Sequence, residues 1–152
     1  MATHRRVFGL VLGLGVAFGA AAPAADLDPR AVVPILPDRI PWGPVTPGGN
    51  QQAVLLGDPA RPGPYIVMVR WLPGHMSRPH THPNDRFITV LSGTWWVGSG
   101  TRYEPETTVP LPAGAFVTHP GRQAHYDGAK DEPAVLLIVG EGPGTSTSAE
   151  AR

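Results

Sequence analysis

The sequence has no cysteine, few charged residues and no apolar run long enough to cross a bilayer as a helix. Each absence removes a class of function. Without cysteine there are no disulfides, no thiolate metal sites and no cysteine nucleophile. Charged residues make up only 16% of the chain, and 12 basic side chains balance 12 acidic ones. No basic stripe is therefore available for nucleic acid or an anionic membrane surface. The apolar run near the start, Val7 to Ala20, spans 14 residues, four of them Gly. A spanning helix needs about 20 apolar residues. What is abundant is Gly and Pro, 19 of each in 152 residues, a share that raises the question of disorder. A hydrophobic content of 41% answers it, because a disordered chain is poor in apolar residues and rich in net charge. Many short strands separated by turns is the reading that accommodates both facts.

The N-terminus has the layout of a cleaved secretory signal, residues 1–24. His4-Arg5-Arg6 is a basic stretch, Val7–Ala20 is the apolar run, and Ala22-Pro23-Ala24 offers small residues to a signal peptidase. Cleavage after Ala24 leaves 128 residues, a periplasmic or secreted location, and no stable membrane anchor. With no disulfide available in an oxidising compartment, a hydrophobic core has to hold the mature domain together unaided.

Residues 25–63 are broken by Pro29, Pro34, Pro37, Pro41, Pro44, Pro47, Pro59 and Pro62, which leaves no room for a useful helix. They read as an extended arm with two edge-strand segments, Arg39–Val45 around Trp42 and Gln52–Leu56. From residue 64 to 141 the pattern is β-rich. Strands are predicted at Tyr65–Leu72, Arg86–Leu91, Thr94–Val97, Thr108–Leu111, Ala115–His119 and Ala134–Val139. Pro73-Gly74, Ser92-Gly93, Pro112-Ala113-Gly114, Pro120-Gly121 and Asp127-Gly128 read as the turns between them. The end of the chain, 142–152, is rich in Ser, Thr and Ala with no apolar anchor, so a frayed tail is expected. The fold class is all-β, an antiparallel sandwich or barrel.

Five of the six histidines, His75, His80, His82, His119 and His125, fall within 51 residues. His80 and His82 are two apart, which on a strand puts both imidazoles on one face about 6.6–6.8 Å apart, close enough to converge on one ion. Asn84 and Arg86 continue that phase, Arg78 precedes it, and Asp85 falls on the other face. His125, after the Pro120-Gly121 turn, is best placed to reach back as a third ligand. His75 reads as a loop residue and Asp85 as a solvated turn residue. Trp95 and Trp96 must point to opposite faces, one of them into the interior.

Gly74, five residues, His80-Thr81-His82, three residues, Arg86, six residues and Gly93 resembles the first motif of the cupin superfamily in spacing. Gly114, five residues, Pro120 and then His125 is similar to the second, and the 20 residues between them suit a small single-domain bacterial cupin. The resemblance covers Gly74 to about Ala129, and with flanking strands Tyr65–Val139. It implies a single-domain jelly-roll β-barrel with the Pro-rich arm outside it. It further implies one divalent transition metal ion (Zn, Fe, Mn, Cu or Ni) held by His80, His82 and His125, and pairing into a homodimer. Trp42 in the arm is available to lie across such a partner.

The chain departs from the cupin pattern in three places. Arg86 stands where the pattern has a Glu ligand, Arg122 where it has Gly, and Ala129 where it often has Asn. Arg86 is the consequential one. A guanidinium 5 Å from a divalent ion, at an effective dielectric near 20, is repelled by roughly 7 kcal/mol. Three arrangements relieve this. Arg86 can turn away to a carboxylate, the site can hold no metal, or an anion can bridge metal and guanidinium. Arg78 and Arg122, expected at the same mouth, favour the third. The resulting expectation is a three-histidine site for a small anionic molecule, a carboxylate or enolate, bound by Arg86, Arg78 and Arg122. If the site is an enzyme's, of dioxygenase, isomerase or decarboxylase type, His119 and Tyr126 are the acid–base candidates. If both lie outside the pocket, a non-catalytic binding or sensor domain, with or without metal, gains ground. No phosphate-binding Gly-rich loop and no G-x-S-x-G elbow occurs.

Overall fold

The β-rich runs punctuated by Gly and Pro become strands of two antiparallel sheets in the computed structural model, which describes residues 26–151. The expected signal, 1–24, lies outside the described residues. The chain divides into a leading segment ending at Pro34 and a unit from Ile35 onward. In the leading segment Asp28 accepts hydrogen bonds from the backbone and side chain of Arg30. No helix among the described residues is long and apolar enough to cross a membrane.

In the second unit the strands are β1 (Asn50–Leu56), β2 (Gly63–Trp71), β3 (His75–Met76), β4 (His80–Thr81), β5 (Arg86–Ser92), β6 (Thr94–Ser99), β7 (Val109–Pro112), β8 (Phe116–His119), β9 (His125–Ala129), β10 (Ala134–Gly142) and β11 (Thr147–Ser148). One sheet has the order β1-β2-β10-β5-β8, the other β11-β4-β9-β6-β7, with β3 also paired to β9. This is the double-stranded β-helix of the cupins, as the sequence leads one to expect. All six predicted barrel strands form, with ends shifted by a few residues.

Period-two alternation explains the core. Val67, Ile138, Ile88 and Val117 stand side by side across four strands of the five-stranded sheet, with Val69, Leu136 and Val90 forming the neighbouring row. These side chains meet Trp95 and Ala129 from the other sheet. Trp95 is buried in the core, and its neighbour Trp96 turns outward under the Lys130 ammonium, 4.1 Å from the ring centroid. Gly93, in the β5–β6 turn, has φ 70°, and a Cβ there would fall 1.9 Å from the Pro133 carbonyl oxygen. Only glycine fits.

Three expectations are corrected. Arg39–Val45 is not an edge strand. Pro37–Arg39 forms a 3₁₀ turn, and Pro41 and Pro44, lacking N–H groups, interrupt any ladder, leaving Gly43 N–H to bond the Gln52 carbonyl. Trp42 lies under the Arg70 guanidinium of β2, whose Cζ is 4.2 Å from the ring centroid. Asp127-Gly128 is not a turn but the middle of β9, buried along its whole length. The tail, expected to fray, is docked. β11 pairs with β4, Ala149 N–H bonds the Pro79 carbonyl, and Glu150 pairs with Arg78. Backbone groups of an edge strand, rather than an apolar anchor, hold it.

Candidate metal centre

β4 and β9 pair so that His80 stands directly opposite His125. Their ring centroids are 4.5 Å apart, and His82 lies 4.9 Å from His80 and 5.4 Å from His125. The three rings offer one nitrogen each, all within 4.8 Å of one another. The i, i+2 spacing therefore does what strand geometry predicts, although β4 itself ends at Thr81.

Which nitrogen faces inward is settled by hydrogen bonding. His80 Nδ1 lies 2.8 Å from the Arg78 carbonyl, His82 Nδ1 2.9 Å from the Thr145 carbonyl and His125 Nδ1 3.2 Å from the Gln123 carbonyl. A carbonyl can only accept, so each Nδ1 carries the proton and each Nε2 presents a lone pair. Such outward Nδ1–H contacts orient metal-ligating imidazoles. His82 Nε2 is buried with no partner. A divalent metal is the natural occupant of converging neutral imidazole lone pairs, and the three residues fit one. Burial keeps the His82 and His125 rings neutral. His82 is pushed down to about 3, by desolvation first and then by the Arg86 charge. His125 is pushed down to about 4 by desolvation, against the pull of the Asp127 carboxylate.

Arg86 opens β5 opposite His119 of β8. Its Nη2 donates to both His119 Nδ1 and His125 Nε2, each at 3.2 Å, and its Nε is buried without a partner. Burial pushes this guanidinium below the ordinary arginine range, and the Asp127 charge opposes that shift. Arg86 thus occupies the His125 lone pair that a metal would use, so loading requires it to let go.

The cluster lies at a cavity of about 470 Å³, whose lining includes His80, His82, Arg86 and Asp127 against Trp71 and Ile88. Of the other anion-binding candidates, Arg78 lies at the cavity but is paired with Glu150 and stacked on Tyr103, 3.9 Å from the ring centroid. Arg122 is corrected. It is exposed, flanks a separate surface depression with Asn84 and Asp85, and has φ 64°, which is why the motif prefers glycine there. Tyr126 is corrected too. It points away from the cavity, and its hydroxyl exchanges hydrogen bonds with the backbone of Glu104. Gly98 opposite leaves room for the phenol, since a Cβ there would fall 2.2 Å from its ring. His119 does not line the cavity. It lies behind Arg86 against His125, ring centroids 3.8 Å apart, and is driven strongly toward its neutral form, chiefly by burial. Asp85 clips a turn by accepting the Gly121 N–H, and His75 bonds the Pro73 carbonyl.

Asp127 was missed by sequence reasoning. The signal was present, since Asp127 is two residues after His125 and so shares its inward face, but Asp-Gly reads as a turn. Its Oδ1 accepts the Trp95 indole N–H at 3.2 Å, and its Oδ2 lies 4.0 Å from His125 Nε2.

A family model described as the ChrR cupin-like domain matches residues 30–145. No curated protein matches the chain in sequence. Among solved structures, one similar fold is a conserved protein with a double-stranded β-helix domain from Klebsiella pneumoniae, at 23% identity over 70% of this chain and 89% of that one, TM-score 0.55. KdgF from Halomonas is similar at 20% identity over 71% and 94%, TM-score 0.55. The polyketide cyclase RemF from Streptomyces resistomycificus is similar at 15% identity over 80% and 87%, TM-score 0.64. At these identities the likeness is one of fold.

Proposed function

The chain belongs to the ChrR cupin-like family, and from that premise we propose that it binds a small anionic molecule, a carboxylate or enolate, at a mononuclear three-histidine metal centre. The observation that carries this reading is the convergence of three imidazole nitrogens beside a buried, incompletely partnered guanidinium. His80, His82 and His125 would hold the ion. A divalent transition metal there supplies Lewis acidity toward an anionic or carbonyl oxygen. Its identity among Zn, Fe, Mn, Cu and Ni is a matter for measurement.

Charge makes an anion necessary once the site is loaded. Arg86 is cationic, Asp127 is the one carboxylate at the cavity, and a divalent ion adds two positive charges. The loaded pocket then carries a net charge of about +2, which a low-dielectric interior does not tolerate uncompensated. Arg86 can turn its planar fork from the histidines to the incoming anion, with two parallel N–H donors. The apolar walls at Trp71 and Ile88 favour a ligand with a non-polar body behind its anionic head.

Binding without turnover is the reading favoured over catalysis, because the Tyr126 hydroxyl is turned away to the Glu104 backbone and His119 Nδ1 is taken up by Arg86. The protein's site of action is proposed to be periplasmic or extracellular and its state a homodimer joined through sheet edges. A mature N-terminus at Ala25 would check the location, and a monomer in sedimentation would refute the dimer.

Metal analysis of tagless protein from its natural compartment, followed by calorimetric titration with carboxylic acids, tests the main reading. One metal per chain is expected, lost in His80→Ala. Anion binding should weaken in Arg86→Ala. Folded protein without stoichiometric metal would remove the metal centre, and unchanged anion affinity in Arg86→Ala would remove the clamp.

A further inference from the structure

We infer that the C-terminal tail, Thr145–Ala151, is the positioning element of the third metal ligand, His82, so that the centre is complete only while the tail is docked. The inference rests on the three-histidine reading above and extends it. The three imidazoles are not oriented in the same way. His80 and His125 each turn Nδ1–H to a carbonyl two residues earlier in their own segment, that of Arg78 and that of Gln123. Those contacts travel with the ligand. His82 lies beyond the end of β4, and its Nδ1–H reaches the Thr145 carbonyl, 63 residues along the chain, at 2.9 Å. With Nε2 buried and unpartnered, that carbonyl is what fixes the ring among the described residues.

Docking of the tail is what brings Thr145 there, and it is lightly held. On the barrel side Gly144 N–H bonds the Pro59 carbonyl at 2.7 Å. Beyond Thr145, Thr147 and Ser148 stand opposite Thr81 and His80, Ala149 N–H bonds the Pro79 carbonyl at 2.9 Å, Ala151 N–H the Thr101 carbonyl at 2.9 Å, and Arg78 Nε donates to Glu150 at 3.0 Å. No residue from Thr145 to Ala151 is buried. A segment tied by exposed backbone bonds and one surface ion pair, with no apolar anchor, opens at a lower free energy than the barrel it lies on. When it opens, His82 loses the acceptor that keeps the proton on Nδ1, and Nε2 is no longer held as a lone pair facing the other two rings. The ladder also shows how to open the tail without touching the centre. In an antiparallel pair the N–H groups of alternate residues face the partner strand, so the N–H of Thr147 faces β4 as that of Ala149 does.

The competing role for the tail is that of an edge strand that adds stability without acting on His82. Thr147→Pro combined with Ala149→Pro removes both N–H groups that face β4, whereas Thr147→Val combined with Ala149→Val keeps them. Zinc affinity of the full chain, measured by competition with a chromophoric chelator, should fall about 10- to 100-fold in the first pair, as it does when a ligand loses its outer partner. The second pair should bind as wild type does. Added to His82→Ala, the first pair should cost no further part of the residual zinc affinity, because the tail acts through that ring. A loss of equal size with and without His82, or no loss at all, overturns the inference while leaving the three-histidine centre standing. Absence of zinc binding in folded wild type overturns both. Nitrogen-15 spectra of the metal-free protein give a readout that needs no zinc. The His82 ring should show the Nδ1–H tautomer in wild type and a mixture of tautomers in the first pair, with His80 and His125 unchanged. A His82 ring indifferent to those substitutions overturns the inference.

Discussion

The two sheets of this barrel are built differently. In the five-stranded sheet, β2 and β10 run nine residues each in unbroken register, and β5 adds seven. Their inward positions are mostly apolar, among them Val67, Trp71, Ile88, Val90, Leu136 and Ile138. The six-stranded sheet contains three strands of only two residues, β3, β4 and β11, around a β9 of five. Its inward positions include His80, His125 and Asp127. Long ladders with apolar faces bury area and carry stability. Short strands contribute few ladder bonds, so their inward positions are available for donors, which are then held by neighbouring carbonyls. Arg86 and His119 are the exceptions, and they sit at the ends of β5 and β8 where the long ladder stops.

The largest test of this division is Ile88→Ala, at a fully buried position of the long ladder. It should cost about 3 kcal/mol in urea unfolding, as large-to-small core changes do. If the cost is below 1 kcal/mol, the five-stranded sheet is not the stabilising half.

Acid should act on the site instead. His82 has an ordinary value near 6.5 when unfolded and about 3 when folded, so the unfolded chain takes up protons first as pH falls. Its neutral burial is without penalty above about pH 7, and stability is lost progressively from 6.5 downward toward the folded value. Between pH 7 and 5 the loss from this one group is about 2 kcal/mol. Urea midpoints of metal-free protein at pH 7, 6 and 5 would measure it. His82→Gln should flatten the slope, whereas Ile88→Ala should lower the whole curve and leave its slope unchanged.

The smallest effect belongs to the turn that joins the sheets between β8 and β9. Arg122 holds φ 64° there, and Arg122→Gly should raise stability by up to about 1 kcal/mol through relief of that conformation. A decrease on thermal melting would show that the exposed side chain contributes more than its backbone costs.

Much of this was legible. Val, Ile and aromatic alternation between Pro-Gly and Ser-Gly turns marked the strands of the core, and His-x-His announced two ligands. β9 was not legible because Gly128 and Asp127 have turn composition. Gly128 is there because a Cβ would fall 2.2 Å from the His75 carbonyl oxygen, and that crowding exists only once β3 has docked. Tyr126 was named as an acid–base candidate, but the same alternation that turns His125 inward turns Tyr126 out. The docking of the tail was hidden for another reason. Backbone hydrogen bonds to an edge strand leave no trace in side-chain composition.

By itself the sequence determined the all-β class, the barrel strands and the histidine cluster, because these follow from local periodicity and spacing that survive any arrangement of neighbours. The tertiary structure alone decided where Arg86 points, that Arg122 and Tyr126 leave the pocket, and that Asp127 enters it. Those are questions of which strand lies beside which, and through-space distance across a register is not written in the spacing along a chain.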